Sequence, residues 1–333
     1  MRRREFITLV GGAALGGTAA WSVAARAQQM TRPVRIGFLA SGAQESTTSM
    51  AQLDAIRQGL RDNGLTEGRD YILDSRFSAG DYDLFPEMAR ALAQAGARVI
   101  LVNTIASVRA AQNVTPPVAV VMLAINDPVA TGLVASLSRP GGNTTGMSTQ
   151  GADFTPKLLE IQREVIPDAK LISVFFNPAN PTNVINVGNL RTTAEAIGIR
   201  VQPVELKPTE NLDAAFTMLA QRRPDALAVI SDSGLNDLHD RIAALALAHR
   251  LPSFSSVSTY AEFGGLLGYG PSRRQMFIQA CSFVKRILDG AKPSDLPVQQ
   301  PTKFELIVNL RTASALGLTI PPSILARADK VIE

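Results

Sequence analysis

Small polar side chains follow most of the short apolar runs in this sequence, and their types suit the binding of a small molecule. Hydroxyl and amide groups donate and accept hydrogen bonds, and a helix that starts beside them offers free backbone N–H groups to an anion. Each such residue alone is also explained as a helix N-cap or a turn former. Their recurrence after successive runs favours a shared polar cleft, formed by Ser41, Gly42, Gln44, Asn103, Thr104, Asn126, Asp127, Asn177, Asn180, Ser231 and Asp232.

The side chains that most often carry catalysis are sparse. His239 and His249 lie ten residues apart on one predicted helix, about 15 Å in rise, so they cannot share a site. We expect His239 to be solvated and His249 to end the helix. Cys281 is the only cysteine and lies on an apolar helical face, which predicts a buried thiol and no disulfide. The sequence therefore predicts no catalytic residue, no metal site and no cofactor.

Two sets of alternating elements must position the polar residues. Branched apolar runs bounded by turn formers predict strands, and amphipathic stretches between them predict helices. This rhythm predicts an α/β chain with two doubly wound parallel-sheet lobes, whose strands end at a common crevice. The predicted strands are 34–40, 71–77, 98–102, 118–123, 171–176, 200–205 and 226–230, and the predicted helices are 50–63, 84–95, 155–165, 184–197, 211–222 and 237–249.

Residues 1–27 read as a signal peptide. Arg2, Arg3 and Arg4 precede a glycine-rich apolar stretch, and Ala25-Arg26-Ala27 has the small-x-small pattern of a cleavage site. The paired arginines are typical of a twin-arginine leader, which predicts export to the periplasm. The alternative is an uncleaved membrane anchor, which the glycines and the cleavage pattern disfavour.

Removal of this leader changes the charge of the chain. The leader holds four arginines and one glutamate, which leaves 33 − 4 = 29 basic and 29 − 1 = 28 acidic residues. A mature chain this close to neutral gives no electrostatic reason to expect a nucleic-acid partner or a membrane surface.

Several motifs resemble one family along essentially the whole mature chain. Together they resemble the ABC transporter substrate-binding family that includes tryptophan and tyrosine carriers. The matching segments are Asn126–Val134, Ser138–Gly146, Gly264–Pro271, Pro301–Leu310, Ala315–Pro322 and Leu325–Asp329.

The resemblance implies a type I periplasmic-binding fold, with two Rossmann-like lobes joined by a hinge of three crossing strands. It places residues 30–147 and about 268–297 in lobe 1, and residues 148–267 and about 298–333 in lobe 2. It further implies no enzymatic activity, a monomer, a small-molecule ligand between the lobes and an ABC permease in the inner membrane as partner.

For an amino-acid ligand, the resemblance implies distinct roles for several residues. Thr104 and nearby backbone N–H groups would take the carboxylate, and Asp127 or Asp232 would pair with the ammonium. Phe176 or Tyr269 would stack on the side chain of the ligand.

Two departures from the family pattern bear on the ligand. Residues 254–260, which include Ser256, are less aromatic than in relatives, and Arg273-Arg274 follows Gly270-Pro271. A less aromatic pocket with a cationic edge would suit an anionic ligand better than tryptophan. Both arginines begin a predicted helix, however, and we expect them to be solvated.

Two other functions remain open at this point. The same closing lobes could serve a sensor that presents its ligand-bound form to a membrane receptor, and gene neighbours would distinguish the two. An exported enzyme on a Rossmann-like scaffold is the other alternative, which the sparse acid–base groups disfavour.

Overall fold

The first lobe is built on the branched apolar runs of the N-terminal half. In this computed structural model, which describes residues 32–149, 155–207 and 211–333, these runs form a five-stranded parallel sheet in the order β2-β1-β3-β4-β5. Its central strands are buried because helices cover both faces. The elements are β1 (Val34–Ala40), α1 (Thr47–Asp62), β2 (Tyr71–Phe77), α2 (Phe85–Gln94), β3 (Ala97–Val102), α3 (Ile105–Gln112), β4 (Ala119–Asn126) and β5 (Thr144–Thr149).

The second lobe is built on a seven-stranded sheet in the order β12-β11-β10-β9-β8-β6-β7. Its strand pairs are parallel except β10 with β11, which run antiparallel. The elements from here to the C-terminus are α4 (Thr155–Val165), β6 (Leu171–Phe176), α5 (Pro181–Glu195), β7 (Arg200–Glu205), α6 (Leu212–Arg222), β8 (Ala226–Val229), α7 (Ser233–Asn236), α8 (His239–Ala248), β9 (Ser253–Ser255), β10 (Leu267–Pro271), α9 (Arg273–Leu288), β11 (Phe304–Asn309), α10 (Leu310–Leu316), α11 (Pro322–Leu325) and β12 (Lys330–Ile332).

The chain passes between the lobes after β5, between β10 and α9, and again before β11. Helix α9 returns to the first lobe, where Phe277 and Phe283 join its core. Gln299 then bridges the first and last crossings: its N–H donates to the Gly146 carbonyl at 2.9 Å, and its carbonyl accepts from the Ser148 N–H at 2.8 Å. The whole of β10 pairs in the second sheet, beyond the predicted change of lobe at residue 268. The predicted division into lobes stays a proposal.

The two-lobed α/β prediction is confirmed, and the buried position predicted for Cys281 is confirmed as well. The solvated position predicted for His239 is wrong. Only 2% of this residue is exposed, because its ring packs edge-on against Tyr260 with centroids 5.0 Å apart. The predicted signal peptide at residues 1–27 lies outside the described residues. Within the described ranges, no helix is both long and apolar enough to cross a membrane.

Candidate functional site

A cavity of about 260 Å³ lies between the two lobes, at the ends of strands from both sheets. The first lobe supplies Tyr82, Asn103, Thr104, Ile105, Ala106, Arg109, Ala124, Ile125, Asn126 and Thr149. The second lobe and the β10–α9 crossing supply Ala179, Asn180, Asn186, Ser231, Asp232, Ser256, Val257, Pro271 and Arg273. Concave sites with a mixed apolar and polar lining of this kind are typical of small-molecule binding.

The N-terminus of α3 forms one side of the cavity. Thr104 caps this helix: its hydroxyl accepts from the Ser107 N–H at 3.0 Å, and the Ser107 hydroxyl accepts from the Thr104 N–H at 3.1 Å. This reciprocal capping holds the first turn rigid. The next two residues, Ile105 and Ala106, line the cavity, and first-turn N–H groups have no partner within their own helix. This side of the cavity can therefore hold an anionic or carbonyl oxygen.

Asp232 organises the opposite side. Its carboxylate accepts from the side-chain amides of Asn177 at 3.2 Å and Asn180 at 2.9 Å, and from the backbone N–H groups of Gly234 at 3.0 Å and Leu235 at 3.3 Å. Only 4% of the residue is exposed, and these four donors compensate its buried charge. Asp232 is thus held in place at the cavity wall by the loops that follow β6 and β8.

Tyr82 reaches the cavity from a short 3₁₀ turn, Tyr82–Leu84, that precedes α2. Its hydroxyl is buried and has no hydrogen-bond partner among the described residues. Burial raises the pKa of the phenol, and the carboxylates of Asp232 and Asp237 raise it further. The nearby backbone N–H of Gly234 opposes this rise in the pKa of Tyr82. In the structure, that N–H donates its hydrogen bond to Asp232. The neutral hydroxyl is therefore available to donate to a ligand.

Arg273 lies at the first position of α9 and is partly buried in the cavity wall. The expectation that both neighbouring arginines are solvated is wrong for Arg273 and confirmed for Arg274, which is exposed and pairs with Asp54 at 3.1 Å. The Arg273 side chain stands over the ring of Phe277 at 6.0 Å. Burial lowers the pKa of its guanidinium more than Asp237 and Asp232 raise it.

Asp237 lies at the seam between the lobes, next to the cavity. A Cβ atom at Gly42 would lie 2.7 Å from its Oδ2 and 2.6 Å from the Ser49 hydroxyl, so the absence of a side chain at Gly42 lets the carboxylate approach the first lobe. Burial raises the pKa of Asp237 to about 7, an effect that Arg273 opposes and Asp232 reinforces. The seam therefore holds a carboxyl group that titrates near neutral pH.

Replacing Asp237 with asparagine is expected to stabilise the protein at pH 8 and not at pH 4. The raised pKa means that the folded protein holds a proton that the unfolded chain releases, so stability falls as pH rises from about 4 to about 7. Allowing for partial solvation, Asp237→Asn should recover on the order of 2 kcal/mol at pH 8. Urea unfolding at both pH values measures this, and an equal difference between variant and native protein at both would contradict it.

The structure brings some of the sequence-predicted binding residues to the cavity and leaves others outside its wall. Those on the wall are Asn103, Thr104, Asn126, Asn180, Ser231, Asp232 and Ser256, and those off it are Ser41, Gly42, Gln44, Asp127, Phe176, Asn177 and Tyr269. Gln44 and Asp127 are exposed, and the Asp127 carboxylate accepts from the Ala130 N–H at 3.0 Å. Tyr269 stacks on Phe304 with ring centroids 6.0 Å apart.

Several wall residues were not predicted. Ala179 follows β6, and the restriction of the strand-end rule to polar types excluded it. Thr149, Val257 and Pro271 lie at or just after the ends of β5, β9 and β10, which are not among the predicted strands. Tyr82, Arg109 and Asn186 come from a turn and from helices, where no local pattern marks them.

The sequence and the fold both match known proteins. A tyrosine-binding protein of Clostridioides difficile (strain R20291) is 26% identical over 272 residues, which is 80% of this chain and 77% of the relative. A conserved domain protein from Vibrio cholerae has a TM-score of 0.83 at 25% identity, covering 90% of this chain and 100% of that one. An ABC domain in complex with L-Trp from Streptococcus pneumonia has a TM-score of 0.81 at 24% identity, with the same coverage.

Residues 45–332, nearly all of the described chain, match the sequence model of the family described as ABC transporter substrate binding protein. The fold is that of the type I periplasmic binding proteins. Proteins of this family bind substrates and are not enzymes. This chain belongs to the ABC transporter substrate binding protein family.

Proposed function

We propose that this protein is the exported receptor of an ABC importer, which encloses a small molecule between its lobes and delivers it to a permease in the inner membrane. The observation that carries the proposal is the cavity itself, whose wall is contributed by both lobes. A molecule bound there contacts Thr104 on one lobe and Asp232 on the other, so binding favours closure. A permease that contacts both lobes can then distinguish loaded from empty receptor.

The same proposal includes the cellular location and the division of the chain. The predicted twin-arginine signal peptide, residues 1–27, would direct the folded protein to the periplasm, where it acts as a monomer. The proposed division places residues 30–147 and about 268–297 in lobe 1 and residues 148–267 and about 298–333 in lobe 2, with the change of lobe at residue 268 moved to the end of β10, because all of β10 pairs in the second sheet. The return of α9 to the first sheet and of β11 to the second supports this division.

A ligand that carries a carboxylate fits the two sides of the cavity. Thr104 and the N–H groups at the start of α3 would take the carboxylate, and Asp232 would pair with an ammonium group if the ligand is an amino acid. The tyrosine and tryptophan named for two relatives support an amino acid. Asp127 does not line the cavity, which leaves Asp232 as the stronger candidate of the two.

A thermal-shift screen of the refolded mature protein against amino acids, organic acids and nucleosides tests the binding function. Ligand at about a thousand times its Kd adds about 4 kcal/mol to the stability, which raises Tm by several degrees at this size. We expect Ala106→Trp, which fills the cavity beside α3, to remove the shift. Ala214→Trp, at an exposed position of α6, is the matched control and should keep it. A shift that survives Ala106→Trp would place binding elsewhere.

Uptake by cells that lack the gene separates transport from sensing. An importer receptor is expected to be required for accumulation of the radiolabelled ligand. Normal uptake together with loss of a ligand-induced transcriptional response would instead support a sensor.

A further inference from the structure

The charges on the cavity wall are unequal. Among the described wall residues there are two guanidinium groups, Arg109 and Arg273, and one carboxylate, Asp232. The Asp232 carboxylate is already engaged by four N–H donors. Arg109 is exposed and donates to the Thr131 carbonyl at 3.2 Å. Of these three charged side chains, Arg273 therefore has the fewest hydrogen-bond partners among the described residues.

The guanidinium of Arg273 has five N–H donors, and none of them makes a hydrogen bond within the described parts of the chain. No carboxylate of the described chain lies within 4 Å of it, although Asp237 and Asp232 are close enough to act on its pKa. Arg273 is partly withdrawn from water without a hydrogen-bonded anion, which carries a desolvation cost that a ligand anion would offset on binding.

Tyr82 supplies a second free donor to the cavity. Its buried hydroxyl lacks a partner, and like Arg273 it lies within the electrostatic reach of Asp232 and Asp237. Both donors line the same cavity, Tyr82 from the turn that precedes α2 and Arg273 from the first position of α9. Tyr82 is also the one aromatic side chain among the described wall residues, so the cavity offers a large aromatic ligand little ring surface for stacking.

We propose that the ligand is an organic anion whose anionic group is held by the guanidinium of Arg273, with the hydroxyl of Tyr82 on the same cavity wall as a second donor. Carboxylate is the simplest such group, because its two oxygens match the fork of an arginine and leave a lone pair for the phenol. The inference rests on the proposed binding function and names the ligand class for the same cavity. For a ligand with a single carboxylate, this placement replaces the N-terminus of α3 as the carboxylate site, and a second acceptor on the ligand can occupy that N-terminus.

The nearby carboxylates do not oppose this assignment. The N–H donors to Asp232 hold its carboxylate in place and offset its negative charge. The negative potential that remains acts on the Arg273 cation and the ligand anion as a pair, whose charges offset each other. Asp237 lies off the cavity wall, and burial already favours its protonated form near neutral pH. An incoming anion favours that protonated form further, so binding and protonation of Asp237 support each other.

Matched pairs of ligands and variants test the proposal. The probes are succinate, glutarate and 4-hydroxybenzoate, each compared with its uncharged amide, and the zwitterions L-tyrosine and L-tryptophan. We expect at least one acid to bind and its amide not to bind. Arg273→Met should weaken that binding about 10- to 100-fold, Arg273→Lys should restore part of it, and Tyr82→Phe should weaken it about 2- to 10-fold. Arg274→Met removes an exposed charge one residue away and should have no effect.

The outcomes separate this inference from the binding function. Binding of an amide as tight as its acid, or binding of L-tyrosine or L-tryptophan that survives Arg273→Met, would refute the anionic site and leave the receptor function intact. Binding of either amino acid that is lost in Arg273→Met and kept in Arg274→Met would support a carboxylate at Arg273. Failure of every probe to bind the folded protein would overturn both. Unchanged Tm of the ligand-free variants shows that a loss of binding is not a loss of folding.

Discussion

Gly146→Ala is expected to lower the free energy of unfolding by about 4 kcal/mol, because this position cannot hold a side chain. Gly146 has φ +131°, and a Cβ atom there would overlap the Met122 carbonyl oxygen and lie 2.5 Å from the Met122 nitrogen. Backbone atoms of the paired strand cannot rotate away as a flexible side chain can. Positive φ alone costs about 1–3 kcal/mol, and the displaced strand adds the rest.

The effect should reach the hinge as well as the first lobe. Met122 pairs with Gly146 in the β4–β5 ladder, and the Gly146 carbonyl accepts from the Gln299 N–H at 2.9 Å. Equilibrium urea unfolding measures the loss. Gly188→Ala is the control, since this exposed helical glycine has open space around its Cβ position and should gain up to about 1 kcal/mol. A loss below about 1 kcal/mol for Gly146→Ala would show that the strand can shift at little cost.

Acid should destabilise the protein through His239. Burial lowers the pKa of this imidazole to about 3, with Arg273 adding to the effect, and its Nε2 atom lacks a partner within the described residues. The unfolded chain takes up a proton near pH 6.5 that the folded protein does not, so stability falls as pH drops from about 6.5 towards 3.

The loss between pH 7 and pH 4 should be about 3 kcal/mol greater in the native protein than in His239→Gln, which has no proton to take up. His249→Gln is the matched control, because His249 is exposed at the end of the same helix and should leave the acid sensitivity unchanged. Urea unfolding at pH 7, 5.5 and 4 gives the three curves. Parallel curves for the native protein and His239→Gln would show that His239 becomes protonated without unfolding.

The alternating elements of both lobes could be predicted from the sequence because each strand is a local apolar run. The prediction missed α3, whose start is marked only by Thr104 and Ser107. It also ended β4 three residues early, at 123 instead of Asn126. β9 and the last small elements were also not predicted, because they are too short to show a periodic pattern and form through contacts with the rest of the second sheet.

Residues of the candidate site that follow strand ends could be predicted from the sequence. Residues that reach the cavity only because the two lobes meet there could not. Strand ends located Thr104, Asn180 and Asp232, because the carboxyl ends of parallel strands share an edge. They do not tell which way a loop turns, so Gln44 and Asp127 were included although both are exposed. Arg273 begins a helix, so the sequence alone predicts a solvated side chain. Its partial burial depends on a second surface that the local sequence does not reveal.

The shared wall of the cavity has a consequence for how substitutions change affinity. If the binding-competent closed form is only a fraction of the free protein, the apparent Kd equals the intrinsic Kd divided by that fraction. A change at the hinge, such as one beside Gln299, alters the fraction and rescales the affinity for every compound by one factor. A change at Arg273 alters the intrinsic Kd and reorders the compounds. Specificity and overall affinity can therefore be tuned separately in this protein, at positions that do not overlap.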